Sequence, residues 1–292
     1  MKYNIKDILV LIRPHQYIKN LFIFTPLFFV GQIAKTELLL NAVIAFVAFS
    51  VSASAIYILN DYQDIEEDLL HPKKKFRPLA SGVIPKKVAI IIMGIFFVLG
   101  VSLMGLLSLN ALGILCAYIA LNIGYSFYLK HIAILDVSII ATGFVLRLFI
   151  GSTVTNIPLS MWIVIMTFLL ALFMALAKRR DDVLLFLDTG EKRRKVIDGY
   201  NLQLIDGGMM IMASVVIVSY ILYTTSTSVV ERLQNEHLYL TALFVILGIM
   251  RYLQIAFVEI DSGSPTKVIL KDTFMQITIL AWIAAFVWII YL

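Results

Sequence analysis

"NDYQDIEEDLLHPKKKFRPLASG" (Asn60–Gly82) follows an unbroken apolar run and sets five acids within eight residues, then four cations within five. With side chains about 100° apart per residue on a helix, Asn60, Asp61, Asp64 and Asp68 project from one stripe, while Ile65 and Leu69 fall on the other side. Like charges at that spacing repel, and a helix C-terminus is the unfavourable end for anions. A cation must offset the cost. Hard carboxylate and amide oxygens suit Mg²⁺, which keeps several waters and is usually held by one or two carboxylates together with substrate phosphates. A metal–diphosphate site is therefore expected. A solvated acidic face neutralised by Lys73, Lys74 and Lys75 is the alternative.

The apolar run before Asn60 belongs to a chain built of such runs. Of 292 residues, 61% are hydrophobic and only 15% charged, against roughly half and a quarter in soluble domains. This predicts an all-α integral membrane protein. A spanning helix needs roughly 20 mostly apolar residues. Nine candidates meet that need, at 18–34, 38–60, 84–107, 109–129, 132–150, 159–178, 208–225, 237–258 and 272–291. The first is short and carries Pro26, which predicts a kink or tilt. No soluble segment is long enough to fold alone, so 1–292 reads as a single polytopic domain. Cys116 is the sole cysteine and excludes an internal disulfide or a cysteine-based metal site. The charged first 20 residues argue against a removable signal peptide.

With the N-terminus inside, 20 of the 24 Lys and Arg residues fall at the inner face. The expected topology in the cell (inner) membrane is therefore a cytoplasmic N-terminus and an outer C-terminus. That rule sorts Lys and Arg alone, yet 16 of the 19 acids lie at the same face, all but Glu37, Glu231 and Glu236. Mixed charge at several helix ends on one side points to a polar cavity open to the cytoplasm, with ordinary solvated loops as the alternative. Membrane lipids are expected partners and nucleic acid is not. Gly94, Gly100 and Gly105 suit helix packing within or between subunits, which leaves a homo-oligomer open.

"NDYQDIEED" fits N-D-x-x-D-x-x-x-D, and the chain here resembles the UbiA superfamily of intramembrane prenyltransferases. The resemblance implies nine helices around a cytoplasm-facing cavity, with Mg²⁺ (or Mn²⁺ in its place) and a diphosphate bound by Asn60, Asp61, Asp64 and Asp68. The second acidic pair of ordinary members is incomplete: Asp136 is present, but Ile140 stands four residues on. "RPHQYIKNLFIFTPLFF" (Arg13–Phe29), "HPKKKFRPLASG" (His71–Gly82), "YSFYLKHIAILD" (Tyr125–Asp136) and "FMALAKR" (Phe173–Arg179) are similar to a narrower branch, as are the short "GFVLR" and "MRY". That branch is the decaprenyl-phosphate phosphoribosyltransferases. It implies transfer of 5-phosphoribosyl from phosphoribosyl diphosphate (PRPP) to a polyprenyl phosphate, in a pathway of cell-wall precursors. Such chemistry needs metal and cations more than a general base, because a phosphate monoester with a second pKa of about 6 is already an anionic nucleophile.

The candidate catalytic residues are Asp64, Asp68, Asp136 and Arg77, with Asn60, Asp64 and Asp68 as metal ligands. Arg77 is placed to neutralise diphosphate or to anchor headgroups. Lys19 is either a snorkelling lysine or a phosphate ligand. Tyr125, Ser126 and Lys130 close the fourth span, and Asp136 opens the fifth. Asp136 and Arg147 are eleven residues apart and share a helix side. An ionisable residue within a span is functional by default; a polar contact between helices is the alternative. The resemblance assigns Lys178 and Arg179 to the donor phosphates. Arg194 and Tyr200 are expected to cover the donor, and Arg251 to meet the lipid phosphate or Glu259. The rivals are a prenyltransferase using a prenyl diphosphate and a small acceptor, and a transporter with a midplane site. Neither half-helices nor repeats, the marks of the latter, are evident.

Overall fold

A computed structural model describes residues 3–70, 73–190, 195–260 and 265–291, and among these every regular element is helical. The chain divides into two compact units. The first comprises residues 1–130 and 146–158; the second comprises 131–145 and 159–292.

In the first unit, Asn4 caps α1 (Ile5–Ile12) with a side chain that accepts from Asp7 N at 3.0 Å. Arg13 leaves α1 in the left-handed region (φ 54°) and a 3₁₀ stretch, Pro14–Phe24, leads into α2 (Thr25–Phe29). The expected span 18–34 is therefore not one α-helix. Pro26 has no N–H to give to a ladder, and Gly31 takes φ 70°, which ends the segment. This stretch runs antiparallel to α3 (Thr36–Gln63): Tyr17 bonds Ser54, Asn20 bonds Ser50, and Leu27 packs by Ala42.

The short α4 (Ile65–Leu70) continues from α3, α5 (Lys86–Leu107) returns along α3, and α6 (Leu109–Phe127) packs against both, parallel to α3. Small residues allow the closest approach. A Cβ on Gly100 of α5 would lie 2.7 Å from the Ala48 carbonyl and 2.0 Å from Ser52 Oγ. The core between these helices holds Phe49, Ala53, Ile56, Met104, Leu115 and Tyr118. Helix α7 (Leu135–Thr155) contributes its residues from Leu146 onward to this unit, and Gly151 brings it against the Ile23 carbonyl.

The second unit takes α7 as far as Val145, then α8 (Met161–Thr189), α9 (Leu202–Thr225), the short α10 (Thr227–Leu233), α11 (Ala242–Gln254), α12 (Pro265–Lys271) and α13 (Thr273–Tyr291). Gly190 ends α8 at φ 71°, a conformation that costs glycine little. Tyr220 ties three elements, bonding Thr241 at 2.7 Å and accepting from Trp282 Nε1 at 2.8 Å. A π-helical turn, Ile255–Glu259, follows α11.

Among the described residues, eight helices are long and apolar enough to cross a membrane. They coincide with the second to ninth expected spans. Large apolar side chains such as Val98, Leu106, Leu109 and Trp288 stand exposed on them, as suits a multi-pass membrane protein whose outer surface meets hydrocarbon.

Candidate active site

In the first unit, the acidic stripe lies where α3 gives way to α4. The helix is formally interrupted at Asp64, but bonds from Asp64 N to Asn60 O (3.0 Å) and from Asp68 N to Asp64 O (2.7 Å) keep the register. Asp61 and Asp68, one nearly above the other on the stripe, converge on one guanidinium: Arg77 Nη1 donates to Asp61 Oδ1 at 3.0 Å and to Asp68 Oδ2 at 2.6 Å. Arg13 also donates to Asp61 Oδ1, and its guanidinium sits over the Tyr57 ring. Lys130 donates to Asp64 Oδ1 at 2.6 Å, while Asn60 Nδ2 reaches Asp64 Oδ2 at 3.3 Å. Asp61 and Asp68 are buried. Burial of charge is tolerable only with such pairing.

Tyr125 is half-buried and Ser126 buried at the end of α6, near the turn that carries Lys130. Farther along, Arg147 is buried with Nε donating to Asn20 Oδ1 at 2.8 Å. Lys19 precedes that asparagine.

In the second unit, Asp136 has no exposed surface. Arg179 Nε donates to its Oδ2 at 2.6 Å and the Tyr200 hydroxyl donates to its Oδ1 at 2.5 Å. Arg179 also holds Asp182 at 3.0 Å, and Tyr200 accepts from Ile134 N at 2.8 Å. Burial, and then the bond to Asp136, push the Tyr200 phenol well above its ordinary pKa, so it stays a donor. Lys178 is exposed on α8. Arg251 pairs with Glu259 at 2.7 Å, as one reading of the sequence expects, and with Asp272 at 2.6 Å. Arg194 lies outside the described residues.

Several participants carry no local signal. Arg13 and Asp61 are 48 residues apart, and Arg13 stands out in the sequence only as the first residue of an opening motif. Asp182 reads as an ordinary acid beside a basic run. Arg180 is buried, bonding Asp206 at 2.8 Å and the Ala256 carbonyl in the π turn at 2.6 Å, so it serves packing where the neighbouring Arg179 serves Asp136.

Among the described residues, no three His, Cys, Asp or Glu side chains converge as a metal centre. The donor set nonetheless suits a hard divalent cation. Asp68 Oδ1 is buried without a hydrogen-bond partner, 3.7 Å from Lys74 Nζ. A site that supplies one or two carboxylates leaves its remaining coordination to water and phosphate. With Arg13, Lys74, Arg77 and Lys130 around three carboxylates, the cluster carries both charges that a metal–diphosphate complex requires.

The chain is 34% identical, over 97% of its length, to a decaprenyl-phosphate phosphoribosyltransferase of Mycolicibacterium smegmatis, of which it covers 92%. It is 32% identical over 96% of its length to the protein of that name from Corynebacterium glutamicum, covering 86% of it. The fold aligns with a UbiA homolog from Archaeoglobus fulgidus solved with DMAPP and Mg²⁺, at a TM-score of 0.72 and 18% identity, over 97% of this chain and 98% of that one. Residues 21–280 match the UbiA prenyltransferase family. Both the acidic stripe and the helical fold agree with that match, and the chain belongs to the UbiA prenyltransferase family.

Proposed function

We propose that this membrane transferase moves a 5-phosphoribosyl group from PRPP to a polyprenyl phosphate, releasing diphosphate, as a step toward cell-wall precursors. The observation that carries the reading is the near-full-length similarity to proteins named for that reaction. The site chemistry supports it: acids and cations gather at the end of α3, and Asp136 is engaged by Arg179 and Tyr200 rather than by a second acid.

Asn60, Asp64 and Asp68 would hold Mg²⁺ through amide and carboxylate oxygens. When bound, the ion neutralises charge on the departing diphosphate. Arg77 and Lys130, now on the carboxylates, turn their N–H groups to phosphate oxygens as substrate enters, with Asp61 keeping Arg77 in place. Lys178 and Arg179 hold the donor phosphates, Asp136 and Tyr200 fix the Arg179 guanidinium, and Tyr125, Ser126 and Arg251 serve substrate binding. A phosphate oxygen of the lipid attacks ribose C1 as the C1–O bond to diphosphate breaks. No proton has to move, since the nucleophile is already an anion.

The whole chain acts in this reading as one polytopic domain of the cell membrane, with its active site opening to the cytoplasm. Segment 14–29 serves as a ninth crossing: eleven 3₁₀ residues and five α-helical ones extend about 30 Å, the thickness of the hydrocarbon core.

Purified protein given labelled PRPP, polyprenyl phosphate and Mg²⁺ should release diphosphate and label the lipid. Chelation should stop turnover, and Asp64→Asn should slow it about 100-fold or more. Labelled lipid formed from prenyl diphosphate and a small acceptor, with none from PRPP, would reject the proposal.

A further inference from the structure

Helix α1 buries one face and leaves the other bare. Leu11, with Ile8 and Ile12, packs on Ile58, Leu79, Ile84 and Ala89, close to the acidic end of α3. The side turned away carries Ile5 (78% exposed), Leu9 and Val10, with Lys6 as its one charge. Apolar side chains gathered on so short an element call for a cover other than water. The chain continues the strip, because Ile18 and Leu21 are exposed on the Pro14–Phe24 stretch that follows.

A lipid surface lies at this level. Helix α5 starts at Lys86 and Lys87, and within three turns it exposes Ile91, Ile95 and Val98 to hydrocarbon. The two lysines therefore mark where headgroups meet the acyl region. Lys86 Nζ is 5.9 Å from the centroid of the Tyr62 ring, and Tyr62 belongs to the same apolar cluster as Ile8 and Leu11. A second bare apolar group is Phe76 (74% exposed), which ends the 3₁₀ turn Lys74–Phe76. Lys75 Nζ lies 5.3 Å from its ring centroid. On these segments Lys6, Lys73, Lys75, Lys86 and Lys87 are exposed, against two exposed acids, Glu66 and Glu67. The surplus of positive charge complements anionic headgroups.

Both segments end on the acid cluster. Arg13 directly follows α1 and Arg77 directly follows Phe76, and the two share Asp61 Oδ1. The backbone transmits the position of α1, since Arg13 N donates to Leu9 O at 3.1 Å and closes the left-handed turn there (φ 54°). Leu9 thus meets the surface with its side chain and sets Arg13 with its carbonyl. We infer that the bare face of α1 and the Lys74–Phe76 turn dock on anionic lipid, and that docking fixes Arg13 and Arg77 on Asp61. An arginine already held at the site lends its charge to a bound diphosphate with little further ordering cost. Docking of this kind does not depend on which group the enzyme transfers.

The test uses the full-length protein in nanodiscs of phosphatidylcholine alone or mixed with phosphatidylglycerol. With Cys116→Ser as background, a nitroxide on Leu9→Cys should collide more with oxygen than with a polar nickel chelate, and one on Glu66→Cys less. Val10→Cys takes its place should the Leu9 variant fold poorly. Mg²⁺–pyrophosphate, the probe for the acid cluster, should bind about fivefold tighter in the anionic mixture. Lys6→Glu combined with Lys75→Glu should abolish that difference and keep the affinity seen in phosphatidylcholine. A label on α1 open to nickel in both lipids overturns the docking; spin–spin broadening between labels overturns it too, by giving the face to a second copy. Equal pyrophosphate affinity in the two lipids, or none in either, overturns the coupling to Asp61.

Discussion

Asp136 and Tyr200 show how single residues acquire roles here. The Tyr200 hydroxyl donates to Asp136 and accepts from Ile134 N, so it satisfies a buried carboxylate and a backbone amide together. Tyr200→Phe removes both bonds and should cost about 1–3 kcal/mol, the desolvation penalty of groups left unpaired. A lower melting temperature in detergent, together with slower turnover as Arg179 loses its fixed acceptor, is the expected result; a variant as stable and as active as the parent would deny Tyr200 this part. Sequence singled out both Asp136 and Tyr200, but for Tyr200 it suggested a cover over the donor. A bond across 64 residues is set by how helices pack, and no local pattern reports it. The same holds for Arg13, whose service to Asp61 depends on a left-handed turn that returns the chain along α3.

Among the elements, α3 and α5 are held by surface shape more than by side-chain size. At Gly100 a methyl group would press on the Ala48 carbonyl. Alanine gains about 1 kcal/mol in helix propensity over glycine, but overpacking of about 1–3 kcal/mol opposes it. Gly100→Ala should therefore lower thermal stability, and a rise in melting temperature would show that the helices have room to part. The start of α13 is fixed differently. Asp272 accepts from Arg251 of α11 and caps Met275 N at 2.8 Å. The Arg251 hydrogen bond holds the Asp272 carboxyl below its ordinary range. A depressed folded-state pKa contributes stability above the unfolded value, about 3.9, and that contribution is lost as pH falls through the folded value. The tie is thus complete at neutral pH and fails only in acid. Asp272→Asn keeps a good cap but should flatten the acid limb of a plot of melting temperature against pH; an identical limb in parent and variant would count against the pair.

For the whole molecule, parity makes the topology testable. Eight crossings put both termini on one face, and nine put them on opposite faces. The Pro14–Phe24 stretch and α2 follow α3 from the level of Asp61 to that of Ala42, so the expected arrangement has nine, with a cytoplasmic N-terminus and an outer C-terminus. A periplasm-active reporter fused after Leu292 should be active, and a tag placed before Met1 should be shielded from reagents outside the membrane; both termini on the same face would remove the ninth crossing. Eight spans were legible in the sequence because burying an unpaired backbone group in hydrocarbon is so costly that apolar length alone selects helices. The acidic stripe was legible as well, since a 3.6-residue period turns spacing into a shared face. The form of segment 14–29 was not, because apolar composition does not separate a 3₁₀ path from an α-helix. Arg251–Glu259, eight residues apart, was expected, but the pairs that build the acidic cluster were not, since they join residues as much as 66 positions apart. Which cation meets which carboxylate depends on the packing of distant helices, and only the tertiary structure decides it.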